Sequence, residues 1–121
     1  MDNPTGAAGE SFAAEYLERR GYTVLERNYR CRFGEIDVIA RDARFLVFLE
    51  VKTRGQGSAA DPLEAVSAAK RRKIVRTAMT YLQRNPTRLQ PRFDVAAVRT
   101  RSGVPESVRY LENAFFCEDF S

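Results

Sequence analysis

Two neighbouring predicted strands in the first half of the chain carry charged residues at positions that look like core. Asp37 lies in the segment GEIDVIARD, and Glu50 and Lys52 lie in the segment LVFLEVKTR. Two carboxylates beside a lysine suit Mg²⁺ or Mn²⁺, which prefer oxygen ligands and keep several waters. We therefore consider a metal site formed by Asp37, Glu50 and a backbone carbonyl such as that of Val51.

The chemistry that fits such a site is phosphodiester hydrolysis. Lys52 next to a bound water can orient or help deprotonate a nucleophile, or stabilise negative charge on a phosphate. The alternative is an ordinary Glu-Lys pair on a half-exposed strand, with Asp37 as a surface acid. Because an E-x-K triplet is common, the spacing alone leaves both interpretations open.

Whether Asp37 meets Glu50 depends on the register of the hairpin. Side chains alternate between the two faces of a strand, so Glu50 and Lys52 share a face. In an antiparallel hairpin the residue numbers of two directly paired residues always add up to the same value. A value of 85 or 87 puts both carboxylates on one face, whereas 86 separates them. A four-residue loop closed by Ala40 and Phe45 gives 85. We expect an odd sum.

Helical and alternating apolar patterns along the rest of the chain predict the element order α-β-β-β-α-β-β. The predicted elements are a helix over Thr5–Arg20, strands over Tyr22–Tyr29, Glu35–Arg41 and Phe45–Thr53, a helix from Asp61 to about Gln83, and strands over Arg92–Val98 and Val108–Leu111. The bend of the central hairpin is expected at residues 42–44, and a turn is expected over Asn28–Gly34.

Capping residues and apolar faces can be predicted for both helices. Thr5 is the expected N-cap of the first helix, and Gly21 suits its end. Glu10 lies at the border of that helix's apolar stripe, where it either reaches a cleft or is simply solvated. The second helix is expected to begin with Asp61 as N-cap, Pro62 in its first turn and Glu64 completing a capping box. Its expected apolar stripe is Leu63, Val66, Ala69, Ile74, Ala78 and Leu82.

Length and composition limit the class of protein. A chain of 121 residues with 44% hydrophobic and 30% charged residues fits one globular domain, residues 1–121. It has no apolar run near the roughly 20 residues of a membrane span and no signal-like N-terminus, so we expect a cytoplasmic protein without membrane attachment. The absence of histidine excludes Ser-His and Cys-His catalysis. Cys31 and Cys117 are expected to be free thiols.

The formal net charge of +4 is unevenly distributed. Residues 61–121 carry 11 basic and 7 acidic residues, whereas residues 1–60 carry 9 of each. Ten basic residues and a single acid, Asp94, lie between Lys70 and Arg101. This segment is a candidate footprint for a polyanion, with a solvated surface as the alternative. Asp94 itself lies within a hydrophobic strand, where a hydrogen-bonded structural acid is the preferred interpretation.

The chain as a whole resembles the YraN-type family of uncharacterised bacterial proteins. Six segments carry this resemblance in order: GE in the first helix, GYTVLERNYR, GEIDVIARD, LVFLEVKTR, DPLEAV followed by a lysine, and RFDVAAV. The family is similar in turn to Holliday-junction resolvases and to the PD-(D/E)-x-K nuclease superfamily. The resemblance implies an α/β restriction-endonuclease-like core with a mixed sheet flanked by helices.

The resemblance also implies roles for individual residues. Asp37 is the matching metal-binding aspartate, Glu50 the second acidic ligand, Lys52 the motif lysine, and Glu10 the first-helix glutamate of resolvase-like members. Lys70, in a family-like position, and Arg54, just beyond the active strand, are the expected phosphate contacts. The chain departs from the pattern in two places. Ile36 rather than proline precedes Asp37, and Ala59-Ala60 stands where many relatives have an aromatic residue and glycine.

The function expected from these observations is a Mg²⁺- or Mn²⁺-dependent endonuclease acting on DNA, in branched or otherwise structured form. A homodimer is expected by resemblance, because a junction has two strands to cut. Two alternatives remain open from the sequence: a non-catalytic nucleic-acid-binding or adaptor module of a DNA-processing complex, and an enzyme acting on another phosphorylated substrate.

Overall fold

A computed structural model describes residues 4–55 and 66–116 of the chain. Its elements follow the predicted order of two helices and five strands. They are α1 (Pro4–Arg19), β1 (Thr23–Cys31), β2 (Gly34–Arg41), β3 (Phe45–Arg54), α2 (Ala68–Arg84), β4 (Gln90–Arg101) and β5 (Val104–Phe115). The α/β class is confirmed.

The five strands form one mixed sheet in which the spatial order is the chain order, β1-β2-β3-β4-β5. β3 and β4 are parallel and are connected through α2, whereas the other three neighbouring pairs are antiparallel. A parallel neighbour requires a long crossover connection, which α2 provides here. β3 is therefore the central strand, with helices covering both faces of the sheet.

Alternation along β3 supplies apolar side chains to both faces. Val47, Leu49 and Val51 pack with α1, where Ala13 and Leu17 are completely buried or nearly so. The opposite face packs against α2 in a core of Ile36, Ile39, Leu46, Phe48, Val66, Ile74, Val75, Ala78, Tyr81, Phe93, Val95 and Phe115. Because β3 is buried on both faces from Leu46 to Val51, a charged side chain in that part of the strand is taken out of water, and Glu50 is such a side chain.

The helix termini differ in part from those predicted. α1 includes Thr5, so Thr5 is not its N-cap, whereas Gly21 ends the helix as expected, with a φ of 92° and its N–H 3.0 Å from the Glu18 carbonyl. α2 begins at Ala68 because Ser67 is extended and its hydroxyl accepts a hydrogen bond of 3.1 Å from the Lys70 N–H. The prediction of a continuous helix from Asp61 to Gln83 was therefore wrong. The predicted caps Asp61, Pro62 and Glu64 lie outside the described residues.

The outer strands are longer than predicted. The expected turn over Asn28–Gly34 is reduced to Arg32 and Phe33, because Asn28 takes a φ of 55° inside β1 without ending it. Asparagine tolerates this left-handed conformation better than most residues. At the C-terminal side, β5 extends to Phe115, which is buried and stacks on Phe93, while Phe116 is 48% exposed.

Further sequence predictions concern the α2 stripe, the thiols and membrane spans. Ile74 and Ala78 are buried as predicted and Leu82 packs against the core, but Ala69 is exposed, and Leu63 lies outside the described residues. Cys31 is a free thiol, and Cys117 lies outside the described part of the chain. Neither described helix has the length and apolar character needed to cross a membrane.

Candidate metal centre

The β2–β3 hairpin pairs with an odd register, as the acid-pair hypothesis requires. Val38 pairs with Leu49, and the register continues to Arg41 and Leu46, a constant sum of 87. Of the two odd sums, 87 forms rather than the 85 of a four-residue loop, because the loop is tighter: the Asp42 N–H donates to the Phe45 carbonyl at 3.1 Å. The Asp42 carboxylate also accepts hydrogen bonds from the N–H groups of Arg44 and Phe45, which fixes the bend.

At the other end of the hairpin, the Asp37 carboxylate takes the place of a backbone partner. The pairing of β2 with β3 ends at Val38 and Leu49, and the next contact is the Val51 N–H donating to Asp37 Oδ2 at 2.8 Å. The N–H and C=O of one strand residue point toward the same neighbour. The Val51 carbonyl therefore faces the same gap between β2 and β3 as the Asp37 carboxylate.

Glu50 occupies this gap from β3 and is only 4% exposed. Its Oε1 atom lies 3.4 Å from Lys52 Nζ and 3.6 Å from Lys70 Nζ. Its Oε2 atom is buried and, among the residues that the structure describes, has no hydrogen-bond partner. A buried acceptor without a partner costs free energy, about 1–3 kcal/mol and more for a charged group. The Oε2 atom therefore needs a proton or a cation.

The pKa values of the two acids reflect their burial and proximity. Burial, followed by the charge of Asp37, raises the pKa of Glu50 to about 7, although Lys70 and Lys52 act in the opposite direction. Burial raises the pKa of Asp37 as well, while the hydrogen bond from Val51 lowers it. Without a cation the pair therefore tends to retain a proton, since two close carboxylates resist ionising together.

Glu10 reaches the same region from α1. Gly9 lets this helix approach β3 closely, because a Cβ atom at that position would overlap Thr53 Oγ1. Glu10 is half-buried, and its pKa is raised, first by burial and then by the charge of Asp37. A hydrogen bond with the Asn28 side chain lowers it. The structure thus brings Glu10 within electrostatic range of Asp37.

The two expected phosphate contacts differ in their relation to the acid pair, since an ion pair with Glu50 is formed by Lys70. Arg54 lies at the end of β3, half-buried, and its guanidinium donates to the Thr53 carbonyl at 3.2 Å. Lys70 lies in the first turn of α2 and contacts Glu50 directly. The sequence did not reveal the Lys70–Glu50 contact, because it depends on where α2 begins. The sequence also did not reveal the hydrogen bond between the side chains of Asn28 and Glu10. The feature that could have indicated it is an asparagine within a strand-like run.

A divalent cation such as Mg²⁺ requires oxygen ligands that lie close to one another. Over residues 4–55 and 66–116, no group of three acidic, cysteine or histidine side chains is close enough to enclose a metal ion. Two carboxylates with a carbonyl nevertheless suit Mg²⁺, which keeps several of its waters. The unpartnered Glu50 Oε2 is free to accept a proton or a cation. Asp37, Glu50 and Val51 therefore fit such an ion.

Asp94 lies outside this centre. It is 1% exposed and accepts hydrogen bonds from the Arg92 guanidinium at 2.8 and 3.0 Å, from the Tyr110 hydroxyl at 2.5 Å and from the Asn113 N–H at 2.9 Å. The preferred interpretation of Asp94 as a hydrogen-bonded structural acid is confirmed. Arg92 is buried with it, so the basic stretch from Lys70 to Arg101 does not form one surface.

Comparison with known proteins gives a consistent family. The model of the uncharacterised protein family UPF0102 matches residues 9–98. A UPF0102 protein of Syntrophotalea carbinolica is 51% identical over 91% of this chain and 89% of its own length. Similar proteins of Geobacter metallireducens and Clostridium botulinum are 46% and 42% identical, over 91% of this chain and 90% and 92% of their own lengths. UPF0102 is the YraN-type family, so the resemblance inferred from the six segments is confirmed. The names of these relatives state no activity.

Proposed function

Since this chain belongs to the UPF0102 family, whose description names no activity, we propose its function from its own residues: a Mg²⁺- or Mn²⁺-dependent endonuclease acting on structured DNA. The observation that carries the proposal is the buried carboxylate pair with an unsatisfied oxygen, bordered by two lysines. A purely structural acid pair gains nothing from an unpartnered buried oxygen.

The donor set favours phosphodiester hydrolysis over other metal chemistry. Carboxylate and carbonyl oxygens select hard cations such as Mg²⁺ or Mn²⁺, whereas redox metals usually take histidine or thiolate ligands. Asp37, Glu50 and the Val51 carbonyl would hold the ion. Bound there, the ion would offset the repulsion of the carboxylates and supply Lewis-acid stabilisation to a phosphate oxygen.

The remaining residues of the centre act on the substrate. Lys52 is 25% exposed while Glu50 is 5% exposed in its side chain, so the ammonium group lies on the solvent side of the acid pair. From there it can stabilise charge on a scissile phosphate or orient a nucleophilic water. Glu10, with its raised pKa, is placed to accept or hold a proton beside Asp37.

DNA is the proposed substrate because cations border the acid pair. Lys70 contacts Glu50, Arg54 lies four residues further along β3, and both are partly exposed, so we assign them contacts to the phosphates that flank the scissile bond. The proposal includes a cytoplasmic location, where DNA is available, and a homodimer, because one centre per chain cuts one strand of a branched substrate at a time.

A cleavage assay tests the proposal. Purified protein is incubated with branched, flap, single-stranded and duplex DNA, with Mg²⁺, with Mn²⁺ or with a chelator. We expect metal-dependent cleavage that is lost in Asp37→Asn and Glu50→Gln. Glu15→Gln is the matched control, since Glu15 is an exposed acid of α1 with a side chain that is 64% accessible.

Two results would count against the nuclease. Cleavage that persists undiminished in both acid variants contradicts the proposed centre. Tight, salt-sensitive DNA binding without cleavage of any substrate favours the adaptor interpretation instead, because phosphate contacts alone produce that salt dependence.

A further inference from the structure

The β1–β2 turn lies against the first half of α2. A Cβ atom on Gly34 would lie 3.4 Å from Thr77 Oγ1 and 3.6 Å from Lys73 Cβ, which is ordinary packing distance. The Phe33 N–H contacts Cys31 Sγ at 3.4 Å, which ties the turn to the end of β1. The turn is thus held beside α2, only three residues from Asp37.

Two guanidinium groups lie over the half-buried ring at this turn. The Arg32 guanidinium carbon is 4.7 Å from the Phe33 ring centroid, and that of Arg76, from α2, is 5.8 Å away. We call these three side chains, Arg32, Phe33 and Arg76, the turn platform. Both arginines are exposed, so flat cationic and aromatic groups meet at the surface.

A row of cations connects the turn platform with the acid pair. Lys70, Lys73 and Arg76 follow each other at intervals of three residues along α2, with a rise of about 9 Å along the helix axis from first to last and a turn of about 60° around the helix at each step. Lys70 contacts Glu50, and Arg76 lies over Phe33. The row therefore leads from the acid pair to the turn platform.

The charges at the far end of this row are not neutralised within the described structure. Across residues 4–55 and 66–116, the ion pairs involve other basic residues, and no carboxylate lies within 4.0 Å of the side-chain nitrogens of Arg32, Lys73 or Arg76. Exposed cations in a row match the repeated charges of a phosphate backbone.

The flat groups of the turn platform suit one form of nucleic acid better than another. Guanidinium and aromatic planes stack on the face of a base, and this interaction tolerates any base. Inside a duplex each base already stacks on its neighbours, so both faces of a base are accessible only in an unpaired nucleotide.

We propose that the turn platform stacks an unpaired nucleotide near the phosphate held at the acid pair, so that the preferred substrate has a single-stranded segment beside the cut. This inference rests on the proposed nuclease function and specifies the structure of its DNA. Charge and stacking together favour DNA over an acidic polypeptide, which supplies charge without bases.

Fluorescence anisotropy of labelled DNA in a chelator at low salt tests the inference, because binding is then measured without cleavage. The probes are a blunt duplex and the same duplex with a short single-stranded overhang. We expect the intact protein to bind the overhang about 10-fold more tightly, within the range for one stacked base.

Two variants remove the turn platform by different routes. Phe33→Leu keeps an apolar side chain against α2 but removes the stacking plane, and Arg76→Ala removes an exposed guanidinium. Both should lose the preference for the overhang. Arg88→Ala is the matched control, because Arg88 is exposed on the connection between α2 and β4, outside the turn platform. Circular dichroism confirms that each variant is folded.

Equal affinity for the two probes, or an overhang preference that survives in Phe33→Leu and Arg76→Ala, would overturn the inference. Competition by polyglutamate as strong as by the overhang DNA would overturn it too, since charge alone would then explain binding. Cleavage without overhang preference defeats this inference but not the nuclease. Overhang preference without metal-dependent cleavage defeats the nuclease but not the binding site.

Discussion

Two buried acids of this protein, Glu50 and Asp94, have nearly the same burial and opposite surroundings. Asp94 is 1% exposed and Glu50 4% exposed. Asp94 accepts hydrogen bonds from a guanidinium, a hydroxyl and a backbone N–H, whereas Glu50 faces a second acid and keeps one oxygen without a described partner. Burial is therefore not what distinguishes a site from a structural acid in this fold.

The difference lies in how each charge is balanced. Although burial acts to lower it, the hydrogen bonds and charge of Asp94 raise the pKa of Arg92, so the guanidinium stays ionised. At the acid pair, burial and mutual repulsion raise the pKa values of Glu50 and Asp37. One cluster is complete within the fold, and the other needs an added positive charge.

The largest expected effect is on catalysis at the incomplete cluster. Glu50→Gln should reduce metal-dependent DNA cleavage by roughly 10³-fold, since Lewis-acid stabilisation contributes several kcal/mol. The fold should survive, because glutamine has a similar shape and no longer needs a counter-charge. Single-turnover cleavage rates measure the effect, and a rate within a few-fold of the unmodified protein would contradict the role of Glu50.

The second largest effect is on stability at the complete cluster. Asp94→Asn removes the close carboxylate partner of the buried Arg92 guanidinium, and the acidic contact that remains is Glu112 at 3.9 Å. The change should lower the free energy of unfolding by about 3–5 kcal/mol, because it leaves a buried charge poorly compensated. Tyr110→Phe, a milder change, removes one hydrogen bond to Asp94 and should cost about 1.5–3 kcal/mol. Urea unfolding measures both. Unchanged stability in both variants would show that the Asp94 cluster is not structural.

Lys52 separates substrate stabilisation from metal binding. Lys52→Ala should lower the cleavage rate by about 10²-fold, the range for one electrostatic contact to developing charge. The metal concentration for half-maximal rate should stay within a few-fold of the original value, since the carboxylates remain. A rate restored at high metal concentration would mean instead that Lys52 acts through the metal site.

The smallest expected effect is the pH dependence of stability without divalent ions. Folding raises the pKa of Glu50 from 4.5 to about 7, so protonation of Glu50 stabilises the folded state. This contribution to the free energy of unfolding is fully present below pH 4.5 and is lost as the pH rises through 7. The loss should be on the order of 1–3 kcal/mol. Urea unfolding between these pH values checks it. Glu50→Gln should show a clearly smaller decline, and an identical decline would contradict the assignment.

Much of this comparison was predictable from the sequence, and the reasons are local. Alternation in β3 placed Glu50 and Lys52 on one face, and the two-residue period made an odd hairpin sum the condition for the acid pair. The element order followed from apolar periodicity. Asp94 was correctly interpreted as structural because it interrupts a hydrophobic strand.

The errors came where local signals compete or distant segments meet. The Asp61-Pro62 signal for the start of α2 was stronger in sequence than Ser67, yet Ser67 is the cap. The Lys70–Glu50 contact depends on the crossover between β3 and β4, and local patterns do not encode that distance. The missing partner of Glu50 Oε2 also emerges only from three-dimensional packing.

A titration with Mn²⁺ tests the central claim most directly. Isothermal calorimetry is performed above the Glu50 pKa of about 7, so that Glu50 is ionised. We expect a single Mn²⁺ to bind the intact protein and Tyr110→Phe, and binding to be lost in Asp37→Asn and Glu50→Gln. No binding to the intact protein at millimolar Mn²⁺, or equal binding to Asp37→Asn, would contradict the metal centre.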